Sequence, residues 1–153
     1  MTPSPEFYSL LINFEGLKLK AYRDSAGIPT IGIGTIIYPD GKHVKMGDTC
    51  TKEQAYGWAE YEANQKAKTL NGLLINTPVK PNQFDALLSL VYNIGSGAFA
   101  ASTLLKRVKS GKGDIREAFL MWRKAKNPKT GVKEDVKGLI TRRNKEADLY
   151  LLQ

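Results

Sequence analysis

The spacing of the apolar residues changes once along this chain and then changes back, and this restricts the fold more than any other feature. Phe7, Leu10, Leu11 and Phe14 recur at helical spacing. Leu17, Leu19 and Ala21 then alternate with Lys18, Lys20 and Tyr22, which reads as a short strand. A second strand is expected over Thr30–Tyr38, rich in Ile and Thr, and a short third around Lys42–Lys45. From Thr51 onward every apolar pattern is helical. Strands segregated into one early stretch describe an α+β fold, mostly helical, with a small antiparallel sheet.

The punctuation supports these boundaries. Ser4-Pro5-Glu6 starts the first helix and Gly16 stops it. Asp24-Ser25-Ala26-Gly27 and Pro39-Asp40-Gly41 are turn chemistry. Thr51 with Gln54 forms a capping box before a long helix over about 52–70. Pro78 and Pro81 mark a loop, and Phe84, Leu87, Leu88 and Val91 open a core helix. Ser102-Thr103 starts a helix ending near Gly111, and Asp114 with Glu117 forms a second capping box. Residues 126–136 read as loop, and Leu139–Leu151 as a final helix. The expectation is a single domain spanning 1–153. It has a sheet lobe at about 15–50, a connecting helix at 52–70, and a helical lobe at 71–153 on which the helix 5–14 packs. Lobes joined by a helix leave a cleft, the usual place for a ligand.

Composition narrows the chemistry. The one cysteine, Cys50, excludes an intrachain disulfide, and with the one histidine, His43, it leaves no zinc site of the usual Cys/His type. No metal and no cofactor is expected. Ala86–Leu105 is uncharged and long enough for a membrane span, but Gly95-Ser96-Gly97 breaks it, so a buried helix and a turn fit better. The N-terminus lacks the charged start of a signal peptide, so a soluble protein made in a cytoplasm is expected. The net charge is +8, and all of it lies after residue 105: nine Lys/Arg balance nine Asp/Glu before that point, whereas fourteen face six beyond it. Such a basic third attracts polyanions or is simply a solvated face.

Two carboxylates stand out. Glu15 lies at the C-terminal, partially negative end of the first helix, between apolar Phe14 and Leu17. Both influences favour the protonated acid. Asp24 lies in a polar turn beside Arg23, which favours the anion. Carboxylates of opposed character are what glycoside hydrolysis uses. Thr30, at the head of the second strand, is placed to orient a water beside Asp24. On these residues alone, Glu15 as a helix-end surface residue and Asp24 as a turn former remain open.

The run Phe14-Glu15-Gly16-Leu17-Lys18-Leu19-Lys20-Ala21-Tyr22-Arg23-Asp24, with Gly27 and Thr30-Ile31-Gly32-Ile33-Gly34, resembles the phage-type lysozymes (endolysins) of glycoside hydrolase family 24. The likeness continues through Asn82–Leu87, Tyr92–Phe99, Ser102–Leu105 and Gly138-Leu139-Ile140 with Arg142 and Arg143, so it spans nearly the whole chain. It implies a lysozyme-like two-lobed fold and cleavage of the β-1,4 bond between N-acetylmuramic acid and N-acetylglucosamine in peptidoglycan. It implies Glu15 as general acid, Asp24 as second carboxylate and Thr30 as water-positioning residue. Tyr92, Asn93 and Ser102 fall where relatives line the saccharide cleft, with Ile36 on the opposite wall. Each also has a plain reading: Tyr92 and Ile36 as core, Asn93 and Ser102 as helix caps. Arg142 or Arg143 is a candidate partner for Glu15. Thr35 departs from the family, many of whose members have His after the Gly-x-Gly. The expected partners are a peptidoglycan strand and, through the basic third, an anionic cell envelope. The expected state is a monomer that binds no nucleic acid and reaches the wall after a separate holin opens the membrane. A lytic transglycosylase and a non-catalytic binder are the rival readings.

Overall fold

The computed structural model describes residues 1–153. Its first helix, α1 (Pro5–Glu15), begins and ends at its capping residues. The Ser4 hydroxyl accepts from the Phe7 N–H at 3.3 Å, and Gly16 closes the helix with φ of 74°. Ser4 also donates through its N–H and hydroxyl to the buried Asp85 carboxylate, which fastens the start of α1 to the centre of the molecule.

Next come β1 (Lys18–Arg23) and β2 (Pro29–Gly32), antiparallel, with Tyr22 opposite Thr30 and an irregularity between Lys18 and Tyr22. The expected extension of β2 to Tyr38 and the expected strand at Lys42–Lys45 do not form. Gly32 and Gly34 take φ of 66° and 71°, outside the extended region, so the ladder cannot run on. Single bridges, Ile31–Thr35 and Ile37–His43, remain in its place. Thr35 is buried, and its Oγ1 has no hydrogen-bond partner.

The connecting helix α2 (Lys52–Leu73) opens on the anticipated box: Thr51 Oγ1 accepts from Gln54 N–H, and Gln54 Oε1 accepts from Thr51 N–H. It runs three residues beyond the expected end. Its buried stripe is Ala55, Ala59, Ala63 and Ala67, with Leu70. Small side chains let other backbone come close; a Cβ on Gly32 would stand 3.1 Å from the Ala55 Cβ.

The helical lobe is built around α3 (Pro81–Ile94), in which every residue from Phe84 to Tyr92 is buried. Pro81 is the first residue of this helix, not part of the loop before it. Next are α4 (Ser96–Ala100), a short helix not anticipated, α5 (Thr103–Ser110) and α6 (Ile115–Leu120). Asp114 caps α6, accepting from the Glu117 N–H at 3.0 Å; the Glu117 carboxylate pairs with Arg107 at 2.8 Å instead of completing the box. The stretch expected as loop is a hairpin of β3 (Lys124–Lys126) and β4 (Lys133–Asp135). It leads into α7 (Lys137–Tyr150), which packs along α3 and α6. Phe7 and Leu11 of α1, Ala59, Ala63 and Ala67 of α2, α3 and the later helices share one apolar core that also takes in Ile33. No helix is long and apolar enough to cross a membrane.

Candidate active site

A cleft of about 660 Å³ opens between the sheet and the helical lobe. Glu15, Asp24, Thr30, Ile36, Tyr92 and Asn93 all line it. Six of the seven residues singled out in the sequence therefore meet at one place. Ser102 lies apart: it is buried, accepts from the Leu105 N–H at 3.1 Å and donates to the Phe99 carbonyl at 2.6 Å, as the N-cap of α5.

Glu15 is the last residue of α1, and only 16% of its side chain is exposed. Its Oε1 accepts from Arg142 Nη1 at 2.8 Å, which decides between the two arginines. The Arg142 guanidinium also lies 4.8 Å from the centre of the Phe14 ring. The helix end and the apolar neighbours of Glu15 thus face a fixed cation. Gly34 completes the setting: a Cβ there would fall 2.7 Å from Glu15 Oε2, so the backbone passes where only glycine fits.

Asp24 is held by its own turn. Its Oδ1 accepts from the N–H groups of Ala26 and Ile28, both at 2.9 Å, leaving Oδ2 unused by the turn. Thr30 is buried and donates its hydroxyl to the Ile28 carbonyl at 2.8 Å. With that proton committed, Oγ1 offers only lone pairs and can accept from a bound water.

Several cleft residues were not anticipated. Tyr22 faces both carboxylates. Burial raises the pKa of its phenol, and the charges of Glu15 and Asp24 raise it further. Its place on the strand, alternating against Leu19 and Ala21, was the available signal. Glu62 and Lys66 pair at 3.2 Å on α2, at (i, i+4) spacing beside the alanine stripe. Tyr92 meets both of its proposed descriptions: it is buried, donates to the Ile33 carbonyl at 2.8 Å, and lines the cleft. Burial and the Glu62 charge hold its pKa well above the ordinary value. Val136, Gly138 and Leu139, where the hairpin meets α7, close the remaining side.

Two carboxylates of unlike surroundings facing a cleft between a sheet and a helical lobe define the class: a glycosidase of lysozyme type. The chain belongs to the phage lysozyme family, whose model matches residues 12–146. It is 39% identical over 138 residues to the endolysin of Salmonella phage P22, covering 90% of this chain and 89% of that protein. Among solved structures it resembles an endolysin from an Escherichia coli O157:H7 phage, FAHEc1, at 43% identity and TM-score 0.89, covering 99% and 94% of the two chains. It also resembles the muramidase domain of SpmX from Asticaccaulis excentricus, at 31% identity and TM-score 0.83, covering 98% and 97%.

Proposed function

We propose that this protein is a phage endolysin that hydrolyses the β-1,4 bond between N-acetylmuramic acid and N-acetylglucosamine. The observation that carries the reading is the pairing of Glu15, on a helix end against Phe14 and Arg142, with Asp24, on a polar turn of the same cleft. Glu15 is the general acid. As its proton passes to the glycosidic oxygen, negative charge develops on a carboxylate already 2.8 Å from Arg142, so no group must reorganise to receive it. Asp24 and the Thr30 lone pairs hold the water on the other side of the scissile bond. Ile36, Tyr92 and Asn93 form saccharide walls. Ser102 supports the site only by capping α5.

No metal or cofactor enters this scheme. The protein acts as a monomer, made in the host cytoplasm and admitted to the wall when a separate holin opens the membrane. Its lysine-rich last third meets the anionic envelope, and nucleic acid is not its partner. The test is clearing of purified peptidoglycan. A folded Glu15→Gln variant should lose roughly a hundredfold or more of the activity, the usual range for a general acid. Near-native clearing by that variant would overturn the reading.

A further inference from the structure

Beneath the cleft lies a charge cluster that the scheme above leaves unused. Glu146 is fully buried on α7, and its two oxygens divide between adjacent arginines. Oε2 accepts from Arg142 Nε at 3.2 Å and from the Ser89 hydroxyl of α3. Oε1 accepts from Arg143 Nη1. Each arginine then reaches a different cleft residue: Arg142 Nη1 donates to Glu15, and Arg143 Nη2 donates to Asn93 Oδ1. Backbone carbonyls complete the fixing, Ser89 O on Arg142 at 3.1 Å and Trp122 O on Arg143 at 3.0 Å. Two cations and two carboxylates balance within this group. A buried carboxylate shared by two arginines is no economical source of stability, because desolvating the ions cancels much of their attraction.

We propose that Glu146 is a positioning residue that sets both the acid and the saccharide wall, holding Arg142 on Glu15 and Arg143 on Asn93. This rests on Glu15 being the general acid. Groups from several elements face Glu15 or its cleft: Tyr22 from the sheet, Asp24 from the turn after β1, Tyr92 from α3, Glu62 and Lys66 from α2, and the arginines of α7. Glu146→Gln keeps the shape and removes one negative charge from behind Arg142. The surplus positive charge then favours the Glu15 carboxylate. A general acid works only while protonated, so the alkaline limb of the kcat–pH profile should move to lower pH. KM should rise as Arg143 loses its hold on Asn93. Glu146→Asp keeps the charge but withdraws it by one methylene. It should lower kcat, roughly tenfold, through misplacement of Arg142, without the downward movement of the limb expected for Glu146→Gln.

The experiment measures kcat and KM on a soluble glycan strand against pH for wild type, Glu146→Gln, Glu146→Asp and Glu15→Gln. Carbon-13 titration of the Glu15 carboxyl accompanies it in the first three. A limb and a Glu15 titration that both move down in Glu146→Gln support the proposal. A folded Glu146→Gln protein with the wild-type limb and KM overturns it, since a merely structural residue changes melting temperature alone. If Glu146→Gln does not fold, Glu146→Asp carries the test, and wild-type kcat and KM in that variant overturn it. An active Glu15→Gln variant defeats the functional reading itself, a distinct outcome.

Discussion

At the scale of single residues, the site depends on two positions that approach each other from distant parts of the chain. Gly34 has φ of 71°, and an added Cβ would lie 2.7 Å from Glu15 Oε2 and 2.9 Å from its Cδ. Gly34→Ala therefore meets two obstacles. The left-handed backbone costs roughly 1–2 kcal/mol for a residue with a Cβ. The added methyl must also push Glu15 from its place on Arg142, which should lower kcat at least tenfold. Thermal melting checks the first and steady-state kinetics the second; a fully active variant would show that Glu15 tolerates displacement. A glycine in a stretch of strand composition, as Gly34 is, signals close approach or curvature but not what comes close, because Glu15 lies nineteen positions earlier. Arg142 was half legible in the same way. Adjacent arginines on a helix point in different directions, and only the packing of α7 on α3 turns Arg142 to Glu15 and Arg143 to Asn93.

At the scale of elements, local chemistry was legible and long-range pairing was not. The caps at Ser4, Thr51, Ser102 and Asp114 stand where hydroxyl or carboxylate residues precede helical spacing. These bonds reach only three residues, so a linear reading sees them whole. The β3–β4 hairpin carries no such signal: Lys124-Ala125-Lys126 and Lys133-Glu134-Asp135 are polar on both faces, and only Ala125 is even half-buried. Their pairing comes from the turn between them, where Asn127 Oδ1 accepts from the Lys129 N–H at 2.9 Å. The glycines ended β2 early for a related reason, since strand composition was read without their φ angles. Ser102 shows the two scales competing. Family likeness places it among sugar ligands, whereas its hydroxyl is taken up by the Leu105 N–H at the start of α5 and the Phe99 carbonyl at the end of α4. Ser102→Ala should cost about 1 kcal/mol of stability as a lost cap. Below the melting temperature, kcat/KM should be unchanged, and a large rise in KM would return Ser102 to the substrate site.

At the scale of the whole molecule, charge is sorted by residue type. After position 105 every arginine is in an ion pair: Arg107, Arg116, Arg123, Arg142 and Arg143. Planar, multidentate guanidinium suits fixed contacts. The nine lysines of the same stretch are all exposed, and none is in an ion pair. The tyrosines show a complementary sorting. Burial is the largest influence raising the pKa of Tyr8, Tyr22, Tyr38, Tyr92 and Tyr150, with Tyr38, which donates to Asp48, reaching about 12. The folded state therefore prefers these phenols protonated. Their contribution is complete below the unfolded value of about 10. As pH rises past it, the unfolded chain ionises first, and stability falls through the interval up to the folded values. Denaturant midpoints between pH 9 and 12 should decline accordingly; a flat profile would mean that these phenols ionise without disturbing the fold.

The free lysines lead to the last expectation. Charges not tied into pairs act through solvent, and salt screens them, with a Debye length of about 10 Å at 0.1 M and about 3 Å at 1 M. Glu15 and Arg142 are nearly enclosed, with 16% and 6% of their side chains exposed, and should respond far less. If the lysines attach the enzyme to the wall, ionic strength separates that attachment from bond cleavage. Raising salt should depress kcat/KM on intact cell walls and leave hydrolysis of a short uncharged oligosaccharide nearly constant. Changing Lys124, Lys126, Lys129 and Lys133 to Gln should flatten the salt dependence on walls and spare the small substrate. The hairpin that carries these lysines runs into Val136, Gly138 and Leu139 at the cleft, so the surface proposed to attach is continuous with the cleft. Equal salt sensitivity on both substrates would instead place the screened charges inside the cleft, and none at all would reduce the lysine surface to a solvating coat.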